Sequence, residues 1–213
     1  MNIESLKTAQ HMEYKAYAAF ASRLMTGVTV GDRYLQLSVN NRPRSQADAA
    51  KFKIDAVLTL DGEEIGVLDV ERKTGWSGGN WPYRQINFPY KPFADFENGI
   101  GSPRSFSSKA RELYKAWTEG RPAFWVAYSS PIADSTGQQM LVSRQACLVL
   151  PADRIFGDEY EIRLDSQPTR YGRDVKVIVI PNEAGIVCTS EIQFTDVIVS
   201  AVDAWIKSQE VTT

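Results

Sequence analysis

The sequence predicts a single α/β domain in which a mixed central sheet is flanked by helices. Three observations favour this fold class. The chain has 213 residues, which lies within the range of roughly 100–250 residues that one domain commonly spans. Its hydrophobic content of 43% is enough for a sizeable core. Helical and strand patterns also follow one another along the chain without an internal repeat or a low-complexity segment between them.

The first half of the chain predicts a helix, a strand, a hairpin and a second helix. Apolar residues recur at three- to four-residue steps over 3–25, and 34–40 alternates as a strand does. Two apolar runs at about 52–60 and 63–72 are joined at Asp61-Gly62 and predict the hairpin. A long connection at 74–108 is rich in Gly, Pro, Asn, Ser and aromatic residues, and a helix follows within 107–119.

The second half predicts strands followed by a closing amphipathic helix. The strands are expected at 123–129, within 139–150, at 174–180 and at 185–189. The helix is expected at about 195–208, with Val197, Ala201, Trp205 and Ile198 marking its buried side.

Charge and cysteine content restrict the partners and the compartment. The net charge of −2 provides no global attraction to nucleic acid, so any such contact must be local. Cys147 and Cys188 lie in apolar runs and are interpreted as buried free thiols of a reducing compartment. The N-terminal segment does not resemble a signal peptide, and no apolar stretch approaches the roughly 18 residues of a membrane span. We therefore expect a cytoplasmic protein with no membrane contact.

Charged residues at the end of the hairpin's second strand are the main functional signal. Alternation predicts that Ile65, Val67, Asp69, Glu71 and Lys73 share one face. A two-residue turn without a bulge would put Asp55 on the other face. A turn with an odd number of residues, or a bulge, would put Asp55 beside Asp69 and Glu71. We predict one of these two irregularities.

Asp55, Glu71 and Lys73 together suit metal-assisted phosphate chemistry. Mg²⁺ prefers carboxylate oxygens and takes one or two protein carboxylates together with phosphate oxygens. The backbone carbonyl of Arg72 offers another hard ligand. Such an ion activates water and stabilises charge on a phosphate, and Lys73 could orient the water or neutralise the phosphate.

The hairpin motif resembles the PD-(D/E)xK nuclease superfamily. Asp55 is followed after fifteen residues by Glu71-Arg72-Lys73, within a strand-turn-strand unit that comes after a helix and a strand. Ile54 stands where the proline of the family name would be. The resemblance covers about residues 10–130, and Trp81 to Phe93 further resembles uncharacterised phage and mobile-element members of the superfamily.

The resemblance implies a restriction-endonuclease-like core over about 3–130, elaborated by strands and a helix over about 139–213. It implies a metal-dependent deoxyribonuclease in which Asp55 and Glu71 hold Mg²⁺ or Mn²⁺ and Lys73 assists the attacking water. Glu13 on the first helix is either a further ligand or a surface acid, and the same two readings stay open for Asp69. A phage-encoded chain would act in the host cytoplasm.

DNA is the expected partner of such an enzyme. Aromatic residues alternate with cations between Lys73 and Lys91, and Arg84, Lys91, Arg72 and Trp81 are the candidate DNA contacts. The alternative for each aromatic ring is that it packs beneath the loop. Two other functions stay open: a catalytically inactive DNA- or protein-binding module of the same fold, and a phage structural or host-interaction protein. A homodimer is compatible with each of these.

Overall fold

The computed structural model describes residues 21, 25–40, 54–73, 76, 79–89, 108–129, 146–161, 163–168 and 174–210. Ala21 is helical and Met25 lies in a turn. The other positions of the first predicted helix, including Glu13, lie outside the described residues, as do Lys91 and positions 139–145 of a predicted strand. The described strands are β1 (Thr29–Val30), β2 (Arg33–Val39), β3 (Ala56–Leu60), β4 (Glu63–Lys73), β5 (Ile86–Pro89), β6 (Ala123–Ser129), β7 (Cys147–Pro151), β8 (Arg163–Pro168), β9 (Asp174–Ile180) and β10 (Ile186–Cys188). The helices described from end to end are α1 (Ser108–Thr118), α2 (Asp153–Phe156) and α3 (Glu191–Glu210).

Seven of the described strands form one mixed sheet in the order β1-β2-β3-β4-β6-β7-β10. β4 and β6 are parallel, whereas the other pairs in this sheet are antiparallel. Parallel neighbours need a crossover connection, and the chain between β4 and β6 includes β5 and α1. The structure thereby confirms the predicted α/β class, with a large mixed sheet flanked by helices.

Helix α3 covers one face of the large sheet. Phe194, Ile198 and Val202 are fully buried there, at three- to four-residue spacing, in a core with strand residues such as Leu58 and Leu68. The spacing predicted Val197, Ala201 and Trp205 on the buried side, but these residues are half-buried at the border of this core. Both stripes of the helix are apolar, so packing against the sheet decides which of them is central.

The opposite face is covered by α1 and by a second sheet. Helix α1 buries Ala110, Leu113 and Ala116. The second sheet has the strand order β5-β9-β8 among the described residues and buries Ile86, Phe88, Ile178 and Ile180 in the same core. This sheet was not predicted, because β5 lies within the stretch interpreted as an irregular connection and β8 is polar.

β4 and β6 approach each other closely at Gly66. A Cβ atom at this position would lie 2.3 Å from the carbonyl oxygen of Pro122. The next residue, Val67, donates its backbone N–H to that same oxygen at 3.0 Å. Glycine at position 66 therefore lets the start of β6 dock against β4, and this contact fixes the strand that carries the candidate site.

No helix in the described part of the chain has both the length and the apolar composition that crossing a bilayer requires.

Candidate active site at the end of the hairpin

The β3–β4 hairpin combines a two-residue turn with a bulge. Leu60 pairs with Glu63 across the turn, and Asp61 and Gly62 have φ values of 50° and 88°. Positive φ at both central residues is the geometry that Asp-Gly favours in a tight hairpin. The register then shifts between Thr59, which pairs with Glu64, and Leu58, which pairs with Gly66. Ile65 is the extra residue, and the predicted irregularity is confirmed as a bulge.

The bulge also corrects one prediction about strand β4. Alternation alone put Ile65 on the face of Val67, but Ile65 packs in the core beneath α3, whereas Val67 packs in the core beneath α1. An extra residue reverses the sheet face to which the preceding side chains point, relative to the side chains that follow it. Ile65 therefore faces away from the candidate site.

Asp55 directly precedes β3 and lies in line with β4. Ala56 is opposite Leu68, so continuing the ladder by one residue sets Asp55 opposite Asp69. The Asp55 Oδ2 atom accepts a hydrogen bond of 2.9 Å from the backbone N–H of Val70. The side chain is buried, with 6% exposure. This hydrogen bond holds the Asp55 carboxylate against the backbone of β4.

Asp69 is buried as well, with 6% exposure. The reading of Asp69 as a surface acid is therefore wrong. Side chains directly opposite each other on antiparallel strands have Cβ atoms about 4.5–5.5 Å apart. Two buried carboxylates at such a separation carry a desolvation cost that hydrogen bonds or a cation must offset.

Glu71 and Lys73 form an ion pair at the end of β4. The Lys73 Nζ atom donates to Glu71 Oε1 at 2.7 Å, and the two side chains are 18% and 24% exposed, respectively. The ammonium also lies 5.1 Å from the ring centroid of Trp125 on β6, within the range of a cation–π contact. Both residues are therefore accessible from solvent but held against the sheet on the face of Trp125.

The oxygen donors at this site suit a hard divalent cation, although they are few. Among the described residues, no three His, Cys, Asp or Glu side chains come together as a metal-binding group. The oxygens at hand are the carboxylates of Asp55, Asp69 and Glu71 and the carbonyl of Arg72, and Mg²⁺ accepts oxygen ligands of this kind. Such a site would need substrate phosphate, water or a residue such as Glu13 to complete it, and Glu13 lies outside the described residues.

Two buried indole N–H groups near this site were missed by the sequence reasoning. Trp76 and Trp125 are 2% and 0% exposed, and neither Nε1 atom has a hydrogen-bond partner among the described residues. Trp125 is directly opposite Asp69 in the β4–β6 register, and the backbone N–H of Trp76 donates to the carbonyl of Lys73 at 3.4 Å. Trp125 occurs in a continuous apolar run, AFWVAYS, which reads as core, so parallel pairing with β4 is the only signal that could have linked it to the acids.

The aromatic loop after β4 packs as a row of rings. Trp76 and Trp81 have centroids 5.1 Å apart, and Trp81 and Tyr83 have centroids 5.0 Å apart, both with edge-on geometry. Trp81 is half-buried and donates its Nε1–H to the Gln85 carbonyl at 3.3 Å. Tyr83 is 37% exposed, and partial burial raises the pKa of its hydroxyl. Trp81 thus anchors the loop, and Tyr83 is the more accessible ring.

The predicted DNA-contacting cations are described only in part. Arg84 is exposed and borders a groove of about 380 Å³ that Arg163 of β8 also lines. The Arg163 guanidinium donates to Gln85 Oε1 at 3.2 Å. Arg163 was missed because it comes from the unpredicted second sheet. The Arg72 side chain and the whole of Lys91 lie outside the described residues.

Comparisons with protein-family models, with curated proteins and with solved structures each found no match to this chain.

Proposed function

We propose that the chain is a metal-dependent deoxyribonuclease that hydrolyses phosphodiester bonds of DNA. The observation that carries this proposal is the bulge at Ile65, which sets Asp55 in line with Asp69 while Glu71 and Lys73 end the same strand. With the same two-residue turn and no bulge, Asp55 would be opposite Leu68 and would face the opposite core, away from the other acids.

In this proposal Asp55 and Glu71 hold a Mg²⁺ or Mn²⁺ ion, with Asp69, the Arg72 carbonyl and Glu13 as further ligand candidates. The bound ion supplies Lewis-acid activation of water and charge stabilisation at the phosphate. Lys73 neutralises Glu71 in the metal-free protein. An ammonium and a divalent ion would compete for one carboxylate, so Lys73 would be free to turn towards the attacking water or the phosphate when Glu71 holds the ion.

The order of elements supports a restriction-endonuclease-like core as part of the proposal. A strand, a hairpin, a helix and a strand parallel to β4 follow one another in the chain. Parallel β4 and β6 end at the same edge of the sheet, where Lys73 is opposite Ser129. Loops that follow such strand ends are a common location for ligands.

DNA would run along the loop that leaves β4. Tyr83 presents an accessible ring on which a base could stack, and Arg84 presents an exposed guanidinium for a phosphate. Trp81 supports this surface from below. Lys91 and the Arg72 side chain stay predictions, as do a homodimer, a phage origin and a cytoplasmic location.

One observation favours a second candidate, an inactive DNA- or protein-binding module of the same fold. Glu71 and Lys73 already neutralise each other at 2.7 Å, and the described residues contain no group of three metal-ligating side chains. A vestigial site would retain such an ion pair as a structural contact. This module would bind its partner without taking up metal.

A cleavage assay with matched variants separates the two candidates. Supercoiled plasmid, linear duplex and single-stranded DNA are incubated with the protein in Mg²⁺, Mn²⁺ or EDTA. We expect metal-dependent cleavage that Glu71→Gln or Lys73→Met reduces by at least about 100-fold. Two substitutions of exposed residues serve as controls, and both variants should cleave like the wild type. Glu63→Gln changes an acid on the same strand, and Lys207→Met changes a lysine of α3.

The outcomes differ clearly between the candidates. Equal activity of Glu71→Gln and the wild type, with both folded by circular dichroism, would remove the nuclease assignment. DNA binding without cleavage in any metal, unchanged by Asp55→Asn, would favour the inactive module.

A further inference from the structure

Two cysteines face each other across the edge of the large sheet. Cys147 of β7 is directly opposite Cys188 of β10 in an antiparallel ladder. Directly opposite residues in such a ladder have Cα atoms about 4.5–5.5 Å apart. A disulfide spans Cα separations of about 4.4–6.8 Å. The backbone therefore already has the spacing that a bond between these two residues requires.

The two thiols also interact in the reduced protein. Both side chains point into the core beneath α3, where they are 2% and 1% exposed. A hydrogen bond from the Cys147 thiol lowers the pKa of Cys188, and burial partly opposes this effect. The Cys188 thiol is also within 3.9 Å of the Ile186 carbonyl oxygen. The hydrogen bond from Cys147 favours the Cys188 thiolate, which is the reactive form.

The position of β10 gives a route for a reagent to reach Cys188. β10 has three residues and is the last strand of the described sheet, whereas β7 lies between β6 and β10. Short edge strands open locally at a lower free-energy cost than central strands do. Cys188 is therefore reached before Cys147.

We propose that Cys147 and Cys188 form a reversible intramolecular disulfide with a low-molecular-weight disulfide as the oxidant. The Cys188 thiolate attacks one sulfur of that disulfide, so a mixed disulfide forms and one small thiolate leaves and takes up a proton. The Cys147 thiolate then attacks the Cys188 sulfur and expels the second small thiol. Two protein thiols lose two electrons and two protons, and the small disulfide gains both.

The bond would fix the end of the sheet that carries the candidate site. The register links Cys188 to Cys147, Cys147 to Tyr128 of β6, and Tyr128 to Arg72 of β4. A covalent link in this row prevents β10 from opening, so the oxidised protein should resist heat better than the reduced protein. Disulfides of this kind raise the melting temperature of a chain of this size by about 5–15 °C.

The test uses the folded wild-type chain. Reduced protein is incubated with oxidised glutathione below its melting temperature, quenched with acid and analysed by intact mass and peptide mapping. We expect the mass to fall by two hydrogens, a peptide that joins Cys147 to Cys188, a higher melting temperature, and full reversal by dithiothreitol. Cys147→Ser should stop at a stable glutathione adduct on Cys188, because it has no second thiol.

Three outcomes would overturn the proposal. These are wild-type protein that retains both thiols after prolonged exposure, wild-type protein that accumulates the glutathione adduct, and disulfides that join separate chains. Each of these readouts comes from the wild type, so they stand even if a cysteine variant does not fold. None depends on nuclease activity.

Discussion

Replacing Asp55 by asparagine separates a metal ligand from a structural hydrogen-bond acceptor. The amide oxygen of asparagine can still accept the Val70 N–H bond, which is 2.9 Å long in the native protein, but the negative charge is gone. If the opposing carboxylates of Asp55 and Asp69 are ligands of a cation, removal of one negative charge relieves their repulsion in the metal-free protein. Two charges about 5.5 Å apart at an effective dielectric constant of about 20 repel by up to about 3 kcal/mol.

The expected result therefore has opposite signs with and without metal. In EDTA, Asp55→Asn should unfold at the same temperature as the wild type or higher. With Mg²⁺ or Mn²⁺ at one hundred times the dissociation constant, the wild type gains about 2.7 kcal/mol, or about 5–11 °C in melting temperature. The variant should lose most of that gain. Thermal unfolding followed by circular dichroism, with a titration of each metal, measures both effects.

Two further variants make the reasoning refutable. Asp55→Ala leaves the buried Val70 N–H without its acceptor and should cost about 1–3 kcal/mol whether metal is present or not. Glu63→Gln should behave like the wild type throughout. If Asp55→Asn is destabilised in EDTA and still gains as much from metal as the wild type, Asp55 is a structural acceptor and the proposed site is wrong.

Two further predictions concern the scaffold. Gly66→Ala drives a Cβ atom into the backbone oxygen of Pro122 at 2.3 Å and should cost about 1–3 kcal/mol in urea unfolding. Gly185→Ala meets movable side-chain ends, with Ile86 Cδ1 at 2.7 Å, and should cost less; the reverse order would contradict this explanation. Hydrogen bonds from the Tyr34 N–H and the Arg33 guanidinium lower the pKa of Asp61 below its ordinary 3.8. The stability that the Asp61 carboxylate contributes is therefore present above about pH 4 and is lost as pH falls through the lowered pKa. The melting-temperature difference between the wild type and Asp61→Asn should shrink towards pH 2, and a constant difference from pH 7 to pH 2 would rule this out.

The sequence predicted those elements whose patterns are local. The hairpin was expected at 52–60 and 63–72 and is observed as Ala56–Leu60 and Glu63–Lys73. The strand at 123–129 has the predicted bounds, because a continuous apolar run next to a glycine and a proline has few alternative structures.

Elements that depend on distant partners were missed. β5 is four residues, INFP, in a stretch rich in turn-forming residues, and it becomes a strand by pairing with β9. β8 reads RLDSQP and pairs with the same strand. β5 alternates over only four residues, and β8 is mostly polar, so neither segment identifies itself as a strand without its partner.

The candidate site was predictable to the extent that it depends on the two-residue alternation of side chains along a strand. With a two-residue turn, this alternation puts Asp55 on the face of Asp69 only if the hairpin contains an irregularity, and a bulge is present at Ile65. The contact between Lys73 and Trp125 could not be predicted in the same way. It depends on the parallel pairing of β4 with β6, a contact between segments about fifty residues apart.

The bulge also bears on how related chains can differ in length. At the same chain length, a three-residue turn without a bulge would also put Leu58 opposite Gly66 and Asp55 opposite Asp69. Loss of the residue at position 65 would straighten β4 and leave these pairs unchanged, because Ile65 itself has no partner in the ladder. Relatives can therefore differ by one residue at the turn or at the bulge while their acids keep the same pairing, and such sequences need to be aligned on their acids instead of on their turns.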